Sequence, residues 1–297
     1  MKSLHHRKKF PHRDADILRL SCGRQNSSSM TNNRILFINQ EIAPYLTSTP
    51  NATLGKNLAT GMQERGFEIR TFMPKFGTVN ERRNQLHEVI RLSGINISID
   101  DNDHPLIIKV ASLQPSRIQV YFIDNDDYFQ KLDEDEDAVG SNRTDNDERT
   151  IFFARGTLET AKKLRWDPKI LQCSGWITAL VPMYLKRMYG DELSFKGTKV
   201  VYSILPGKIS APVDERIIAK LKADGISSRD IKKFAGLPFD TDLLHRMAIE
   251  FSHAVIIEDP DVSPELLEYI KSTGKTFVTH EQLATGPDAY AEFYKSL

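Results

Sequence analysis

The chain has few cysteines, no excess of charge of either sign and no long hydrophobic run. Cys22 and Cys173 are too few for a disulfide framework or a structural zinc site, and they fit a reducing, cytoplasmic setting. Forty basic residues balance forty acidic ones, which gives no reason to expect nucleic acid as the main partner. Because no apolar run approaches the roughly 18 residues of a membrane helix, we expect no membrane span.

Recognisable ligand-binding motifs are also scarce. The chain contains no Gly-x-Gly-x-x-Gly and no P-loop pattern, and its histidines and carboxylates are not spaced as metal ligands. We therefore predict neither a bound metal nor a cofactor. No sequence feature pairs Cys173 with a histidine, so a buried thiol is a better interpretation of this residue than a catalytic nucleophile.

Strands and helices alternate along most of the chain, which is typical of a parallel sheet covered on both faces. The strands between residues 88 and 123 have no helix between them, so we expect antiparallel hairpins there. The predicted fold class is α/β, a Rossmann-like three-layer domain with a mostly parallel sheet. Apolar runs predict strands at residues 34–39, 67–73, 88–92, 95–99, 106–111, 118–123, 169–173, 200–204, 253–258 and 275–279. Helical spacing and caps predict helices at residues 53–65, 150–164, 178–189, 216–223, 228–234, 241–251 and 263–273.

Two segments differ in composition from the rest. Residues 1–32 are basic without an apolar core, which predicts a disordered N-terminal extension and not a signal peptide. An alternative is that the true start is Met30. Residues 131–148 are acidic and poor in apolar side chains, which predicts a mobile surface loop. The folded domain is therefore expected to span residues 33–297.

Ligands of open α/β sheets bind beyond the carboxyl ends of the strands. That rule selects the segments 39–53, 74–77, 173–178 and 205–208. The first segment runs into a helix N-terminus, which favours an anion. Its one nearby glycine, Gly55, gives little room for close approach of a phosphate, so an ordinary strand-to-helix loop is the alternative.

Several motifs in and near these segments resemble the start of the starch and glycogen synthase catalytic domain. In the family's order they are EIAPY (41–45), ERGFEIRTFMPKFG (64–77), VYFIDNDDYF (120–129) and QCSGWITALVP (172–182). The resemblance covers about residues 33–204, continues more weakly to about 280, and is closest to short Bacteroides-type glycogen synthase-like proteins. It implies the N-terminal half of a GT-B glycosyltransferase. That family transfers glucose from ADP-glucose to an α-1,4-glucan in glycogen biosynthesis, without a metal.

The resemblance breaks at positions that bind the donor in the family. The family's phosphate-contacting lysine falls at Thr47, and a neutral threonine cannot offset the charge of a diphosphate as lysine does. The family's two histidines fall at Gln172 and Ser174, and its aspartate falls at Gly175. The family's C-terminal nucleotide-binding domain is also expected to be absent.

Three functions are compatible with this pattern. The first is an ADP-glucose glycosyltransferase of α-glucan synthesis whose other domain is supplied by a partner chain. The second is a catalytically inactive relative that binds glucan or a partner enzyme. The third is a remnant with a structural or regulatory role. Family membership favours the first, whereas the missing lysine, histidines and domain favour the second.

No catalytic residue is assigned, but six residues are candidates for substrate binding by motif position. For Trp176, stacking on a sugar is the alternative to core packing, which is the preferred interpretation. Lys75 and Lys208 could meet phosphate or be ordinary exposed lysines, and Glu41 could be a polar contact or a capping carboxylate. The six candidates are Glu41, Thr47, Lys75, Ser174, Trp176 and Lys208.

Overall fold

The computed structural model describes residues 33–46, 49–130 and 137–297. The predicted basic extension with Cys22 and Met30, the candidate Thr47, and residues 131–136 of the predicted acidic loop lie outside the described residues. The strands are β1 (Arg34–Asn39), β2 (Glu68–Pro74), β3 (His87–Glu88), β4 (Ile95–Ile99), β5 (Asn102–Leu113), β6 (Ile118–Asp124), β7 (Ile170–Ser174), β8 (Lys199–Ile204), β9 (Ala254–Ile257) and β10 (Thr276–Thr279). The helices are α1 (Pro50–Glu64), α2 (Asp126–Phe129), α3 (Asn146–Lys163), α4 (Val181–Met188), α5 (Ile217–Ala223), α6 (Ser228–Lys232), α7 (Thr241–Phe251), α8 (Pro264–Ser272) and α9 (Pro287–Lys295).

One mixed sheet organises the described residues, in the order β10-β9-β8-β7-β1-β2-β6-β5-β3, with β4 pairing on β5. The seven strands from β10 to β6 are parallel. Strand β5 pairs antiparallel with β3, β4 and β6. The predicted α/β class and the predicted antiparallel hairpins are both confirmed. Among the helices described, none is long and apolar enough to cross a membrane.

The hand of the connections decides which face each helix covers. A right-handed crossover to the right of β1, through α1, places that helix on one face of the sheet. The connections from β6 to β7 and onward to β10 run to the left, so the same hand places α3, α4, α7 and α8 on the other face. Neighbours in that series contact one another, whereas α1 contacts α9. Helix α9 covers part of the same face as α1, since Tyr294 contacts Phe37 of β1 and Gln172 of β7.

The C-terminal helix α9 was not predicted, although its sequence carries a signal. Its buried residues Tyr290 and Tyr294 are four apart and follow a glycine and a proline, which is typical of a helix with one buried face. The Tyr294 ring lies 6.5 Å from the Phe37 ring of β1. The Arg65 guanidinium of α1 lies 2.7 Å from the Asp288 carboxylate. These contacts fix α9 beside α1 and over the centre of the sheet.

Most predicted elements are confirmed, but several bounds differ, since α1 begins at Pro50, β5 at Asn102 and α3 at Asn146, each earlier than predicted. The strand predicted at 88–92 is only two residues long, because residues 89–94 turn back and donate to β5 from the backbone of Val89 and Gly94. The helix predicted at 178–189 is split, with a 3-10 turn at Trp176–Thr178 before α4 begins at Val181. The predicted cap of α8 is confirmed, since the Ser263 hydroxyl accepts a hydrogen bond from the backbone of Leu266.

The predicted acidic surface loop ends earlier than its composition indicated. Helix α3 begins at Asn146, and the Asp147 side chain is 1% exposed. The Lys220 ammonium of α5 lies 2.6 Å from the Asp147 carboxylate and 2.7 Å from the Glu148 carboxylate. The burial of these acids depends on a cation 73 residues away in sequence, so local composition could not reveal it.

His245 is a buried histidine that joins α7 to the sheet. Its Nδ1 atom lies 2.8 Å from the Tyr202 hydroxyl of β8, and the side chain is almost fully buried. Burial lowers the pKa of His245 to about 4. The folded chain therefore holds this imidazole neutral, whereas the unfolded chain protonates it below its ordinary pKa of about 6.5.

We expect the free energy of unfolding to fall as the pH is lowered from 6.5 towards 4, because only the unfolded state gains a proton at His245 in that range. Between pH 7 and pH 5 the loss from this residue is about 2 kcal/mol. His245→Asn should flatten this dependence in urea unfolding followed by circular dichroism. Tyr202→Phe keeps the buried imidazole and should keep the wild-type slope. An unchanged slope in His245→Asn would contradict this assignment.

Candidate functional site

A polar row crosses the sheet where three adjacent parallel strands end. Asn39 of β1 is in register with Ser174 of β7, which is in register with Ser203 of β8. Residues in register on parallel strands point to the same face, so the three side chains lie side by side. All three are at most 6% exposed. Buried polar side chains in the middle of an apolar sheet need partners or a ligand.

The segment after β1 adds two more buried polar residues. Glu41 is 3% exposed, and its carboxylate accepts a hydrogen bond from the Gln40 side chain at 3.0 Å. The hydroxyl of Thr49 also donates to Glu41, while the same oxygen accepts the backbone N–H of Ala52 and caps α1. Thr49 is therefore the capping residue of α1, and the buried Glu41 accepts a hydrogen bond from the capping hydroxyl.

These residues surround a small space, which we call the polar cavity. Its volume is about 10 Å³, close to the least that one water molecule needs. Asn51 closes one side by donating from its side chain to the Pro206 carbonyl at 2.9 Å. None of its described lining residues is a lysine or an arginine. The lining residues are Asn39, Glu41, Asn51, Leu54, Gly55, Leu58, Gln172, Ser174 and Leu205.

Three buried polar atoms at this site have no hydrogen-bond partner among the described residues. They are Asn39 Nδ2, Gln40 Oε1 and Ser203 Oγ. An amide nitrogen donates, an amide oxygen accepts, and a hydroxyl does both. Leaving such groups unpaired in the interior costs about 1–3 kcal/mol each. The mixture of uncharged donors and acceptors suits a hydroxyl group or a water molecule better than it suits a phosphate.

Gly175 and Gln40 are fitted to each other at the end of β7. Gly175 has φ +90, a conformation that other residues adopt only with strain. A Cβ atom at this position would lie 2.7 Å from Gln40 Oε1. The Gln40 side chain therefore fills the space beside Gly175.

The predicted candidates lie in different environments. Lys75 is 7% exposed, and its ammonium is 2.9 Å from the Glu81 carboxylate. Glu81 also accepts from Lys109, which in turn lies 2.8 Å from Asp124. Although partial burial opposes it, hydrogen bonds from Lys109 and Lys75 hold the pKa of Glu81 below its usual value. Lys75 is thus part of an ion-pair cluster and not an exposed lysine.

The other candidates divide between core and surface. Trp176 is 2% exposed and belongs to the hydrophobic core, as the core-packing interpretation predicts. Cys173 is fully buried, and burial raises the pKa of its thiol well above the usual value, as expected of a structural thiol. Lys208 is exposed beyond the end of β8. Glu41 and Ser174 are therefore the two candidates that the structure brings together in the polar cavity.

Several residues of this site were not identified from the sequence. Asn39, Gln40 and Ser203 were missed because their significance depends on strand register, which brings together positions more than 130 residues apart. The only local signal was polar residues at the ends of otherwise apolar strands. Among the described residues, no group of three or more histidine, cysteine, aspartate or glutamate side chains is placed to hold a metal ion.

A second, larger depression lies beside the segment after β1, and we call it the outer groove. Its volume is about 650 Å³. Tyr45 packs edge-on against Phe122, and burial raises the pKa of Tyr45 to about 12, so its phenol stays neutral at ordinary pH. The lining residues are Pro44, Tyr45, Arg83, Asn84, Gln85, His87, Ala111, Ser112 and Gln114.

We expect Gly175→Ala to lower the free energy of unfolding by about 3 kcal/mol, because strain at positive φ adds to overlap with Gln40. Gly274→Ala is the matched control, since Gly274 also has positive φ but nothing lies within 4 Å of its Cβ position. It should cost about 1 kcal/mol. Adding Gln40→Ala to Gly175→Ala should recover part of the lost free energy of unfolding. Adding it to Gly274→Ala should recover none. Equal losses at 175 and 274 in urea unfolding would show that Gln40 does not restrict the position.

Comparison with known proteins places this chain in a family. The model of the starch synthase catalytic domain matches residues 34–277. The glycogen synthase of Chlorobium luteolum is 34% identical over 200 residues, which are 67% of this chain and 41% of that protein. The glycogen synthase of Chlorobaculum tepidum is 30% identical over 256 residues, which are 83% of this chain and 52% of that protein.

A solved structure shows the same fold. The catalytic domain of starch synthase IV from Arabidopsis thaliana, bound to ADP and acarbose, superposes with a TM-score of 0.67 at 17% identity. The match covers 84% of this chain and 51% of that one. This chain therefore spans about half the length, or less, of the proteins it matches. It belongs to the starch synthase catalytic domain family of glycosyltransferases.

Proposed function

We propose that this chain acts in α-glucan synthesis as the glucan-binding half of a glycogen synthase-type glycosyltransferase, whose donor is ADP-glucose. The family match over residues 34–277 carries this proposal. The complete reaction would then need a second Rossmann-type domain, as in the two-domain members of the family. The cytoplasm is the proposed setting of this reaction.

The position of the polar cavity supports this function. It lies beyond the carboxyl ends of β1, β7 and β8, which is where open α/β sheets bind ligands. Gln172 and Ser174, the positions to which the resemblance assigns the family's histidine pair, both line it. Their side chains are an amide and a hydroxyl in place of two imidazoles.

The outer groove supports a glucan as the ligand of this half. Sugars are recognised by side chains that offer both donors and acceptors, together with apolar or aromatic surface. The groove provides amides at Asn84 and Gln114, a guanidinium at Arg83, and the exposed apolar surface of Pro44. This combination suits hydroxyl groups along an oligosaccharide.

A catalytically inactive relative that binds glucan is the second candidate, and specific observations favour it. The N-terminus of α1 is capped by Thr49, and Lys75 is held by Glu81. The polar cavity has a buried carboxylate, Glu41, and no cation among its described lining residues. A diphosphate placed here would meet a negative charge without a compensating positive one, which is unfavourable in a buried site.

Calorimetric titration of the purified chain tests the proposal. We expect maltoheptaose to bind and ADP-glucose to show no micromolar affinity, because the described site offers no cation for its phosphates. Arg83→Ala should weaken maltoheptaose binding about tenfold through loss of a charged hydrogen bond. Arg82→Ala, at an exposed neighbour outside the groove, is the matched control and should bind as wild type does.

Other outcomes separate the alternatives. Micromolar binding of ADP-glucose would show that this chain holds the donor without the family's lysine, and an assay for glucosyl transfer would follow. Equal weakening by Arg82→Ala and Arg83→Ala would exclude the outer groove as the glucan site. Binding of neither ligand would refute the proposal and leave the fold as the only property shared with the synthases.

A further inference from the structure

Hydrogen bonds connect the C-terminal helix to the polar cavity. The hydroxyl of Tyr294 donates to Gln172 Oε1, and Gln172 Nε2 donates to Ser174 Oγ at 3.2 Å. Tyr294 and Gln172 are each 1% exposed. Burial raises the pKa of Tyr294 well above its usual value, so its hydroxyl keeps its hydrogen and can donate. A residue of α9 thus fixes the orientation of an amide in the middle of the sheet.

The orientation of this amide determines what Ser174 offers to the cavity. A hydroxyl has one hydrogen to donate and lone pairs that accept. Because Gln172 presents its NH₂ group to Ser174, the serine oxygen accepts from Gln172 and keeps its own hydrogen. Among the described residues, Gln172 is the one side chain hydrogen-bonded to Ser174 Oγ. The hydrogen of Ser174 is therefore available to an acceptor in the cavity.

The cavity contains complementary groups for one hydroxyl. Asn39 Nδ2 is a second donor there and has no partner among the described residues. Glu41, which also lines the cavity, offers carboxylate oxygens that accept. A hydroxyl can accept from Ser174 or Asn39 and donate to Glu41 at the same time. The volume of about 10 Å³ admits one such oxygen and not a sugar ring.

We propose that Tyr294 is a positioning residue that acts through Gln172 to make Ser174 a hydrogen-bond donor, and that the polar cavity thereby selects a single hydroxyl group of a glucosyl unit lying across the strand ends. This rests on the proposed function, because a glucan is the source of the hydroxyl. It also assigns α9, at the far end of the sequence, to the binding site. An analogue that lacks the selected hydroxyl should bind more weakly, since Asn39 and Ser174 would lose their partner.

The chain offers a matched control for Tyr294 on the same helix. Tyr290 is one turn earlier, is 4% exposed, and donates its hydroxyl to Glu258 in place of Gln172. Tyr290→Phe and Tyr294→Phe each remove one hydroxyl from a buried ring and leave the packing of the ring in place. Only Tyr294→Phe breaks the connection to Ser174.

The test is a titration of the isotope-labelled full chain with maltotriose, in which backbone amide shifts of Asn39 and Ser174 report the cavity and those of Asn84 and Gln114 report the outer groove. Ser174→Ala and Tyr294→Phe should each raise the Kd measured at Asn39 about tenfold. The double variant should be no weaker than Ser174→Ala alone, because both changes remove the same donor. Tyr290→Phe should stay within about twofold of wild type.

A ligand-independent readout accompanies the titration. The side-chain amide hydrogens of Gln172 should exchange at least tenfold faster in Tyr294→Phe and at the wild-type rate in Tyr290→Phe. Additive losses in the double variant, or equal effects of the two tyrosine changes, would overturn the positioning role. Shifts confined to the outer groove would overturn the cavity site and leave the proposed function intact. No shifts at either place would refute the proposed function itself and the cavity site with it.

Discussion

The right hand of the crossover connections is the constraint on which this structure depends. It sends α3, α4, α7 and α8 to one face of the parallel sheet and α1 to the other. The face that α1 covers carries the polar row of Asn39, Ser174 and Ser203. A fully apolar layer of helices on this face would leave these three side chains without hydrogen-bond partners. Helix α9 packs beside α1 against the same face, so the site is enclosed by the first and the last helices of the domain. Burial of the site is therefore a consequence of topology as much as of local sequence.

The sequence predicted those features that depend on neighbouring residues. The apolar runs that give β1, β4 and β9, and the cap of α8, are local, and the structure bears them out. The rule that open α/β sheets bind ligands beyond the carboxyl ends of their strands selected the segments that contain Glu41 and Ser174. The remainder depends on partners distant in the chain: the burial of Asp147 by Lys220, the ion pair of Glu81 with Lys109, and the docking of α9. No periodicity or composition of a single segment contains that information.

The departures from the family's motif form a consistent chemical pattern. By the resemblance, Gln172 and Ser174 stand where the family has two imidazoles, and they are groups that hold no charge, while Glu41 is a carboxylate. The N-terminus of α1 is occupied by its own cap. A site of this kind distinguishes ligands by the geometry of uncharged hydrogen bonds, for which the position of each hydrogen matters. The orientation of the Gln172 amide then determines which ligand group is bound, as a cation does in a phosphate site.

The pairing of Gly175 with Gln40 also bears on how such a domain changes over evolutionary time. A single codon change that placed an aspartate at 175 would meet both a left-handed backbone and an occupied space, and the intermediate would fold poorly. A larger residue at 175 would require the segment after β1 and the end of β7 to change together. Two such changes made one at a time would pass through a destabilised intermediate. Protein engineers who wish to rebuild a donor site here should therefore exchange both segments in one step.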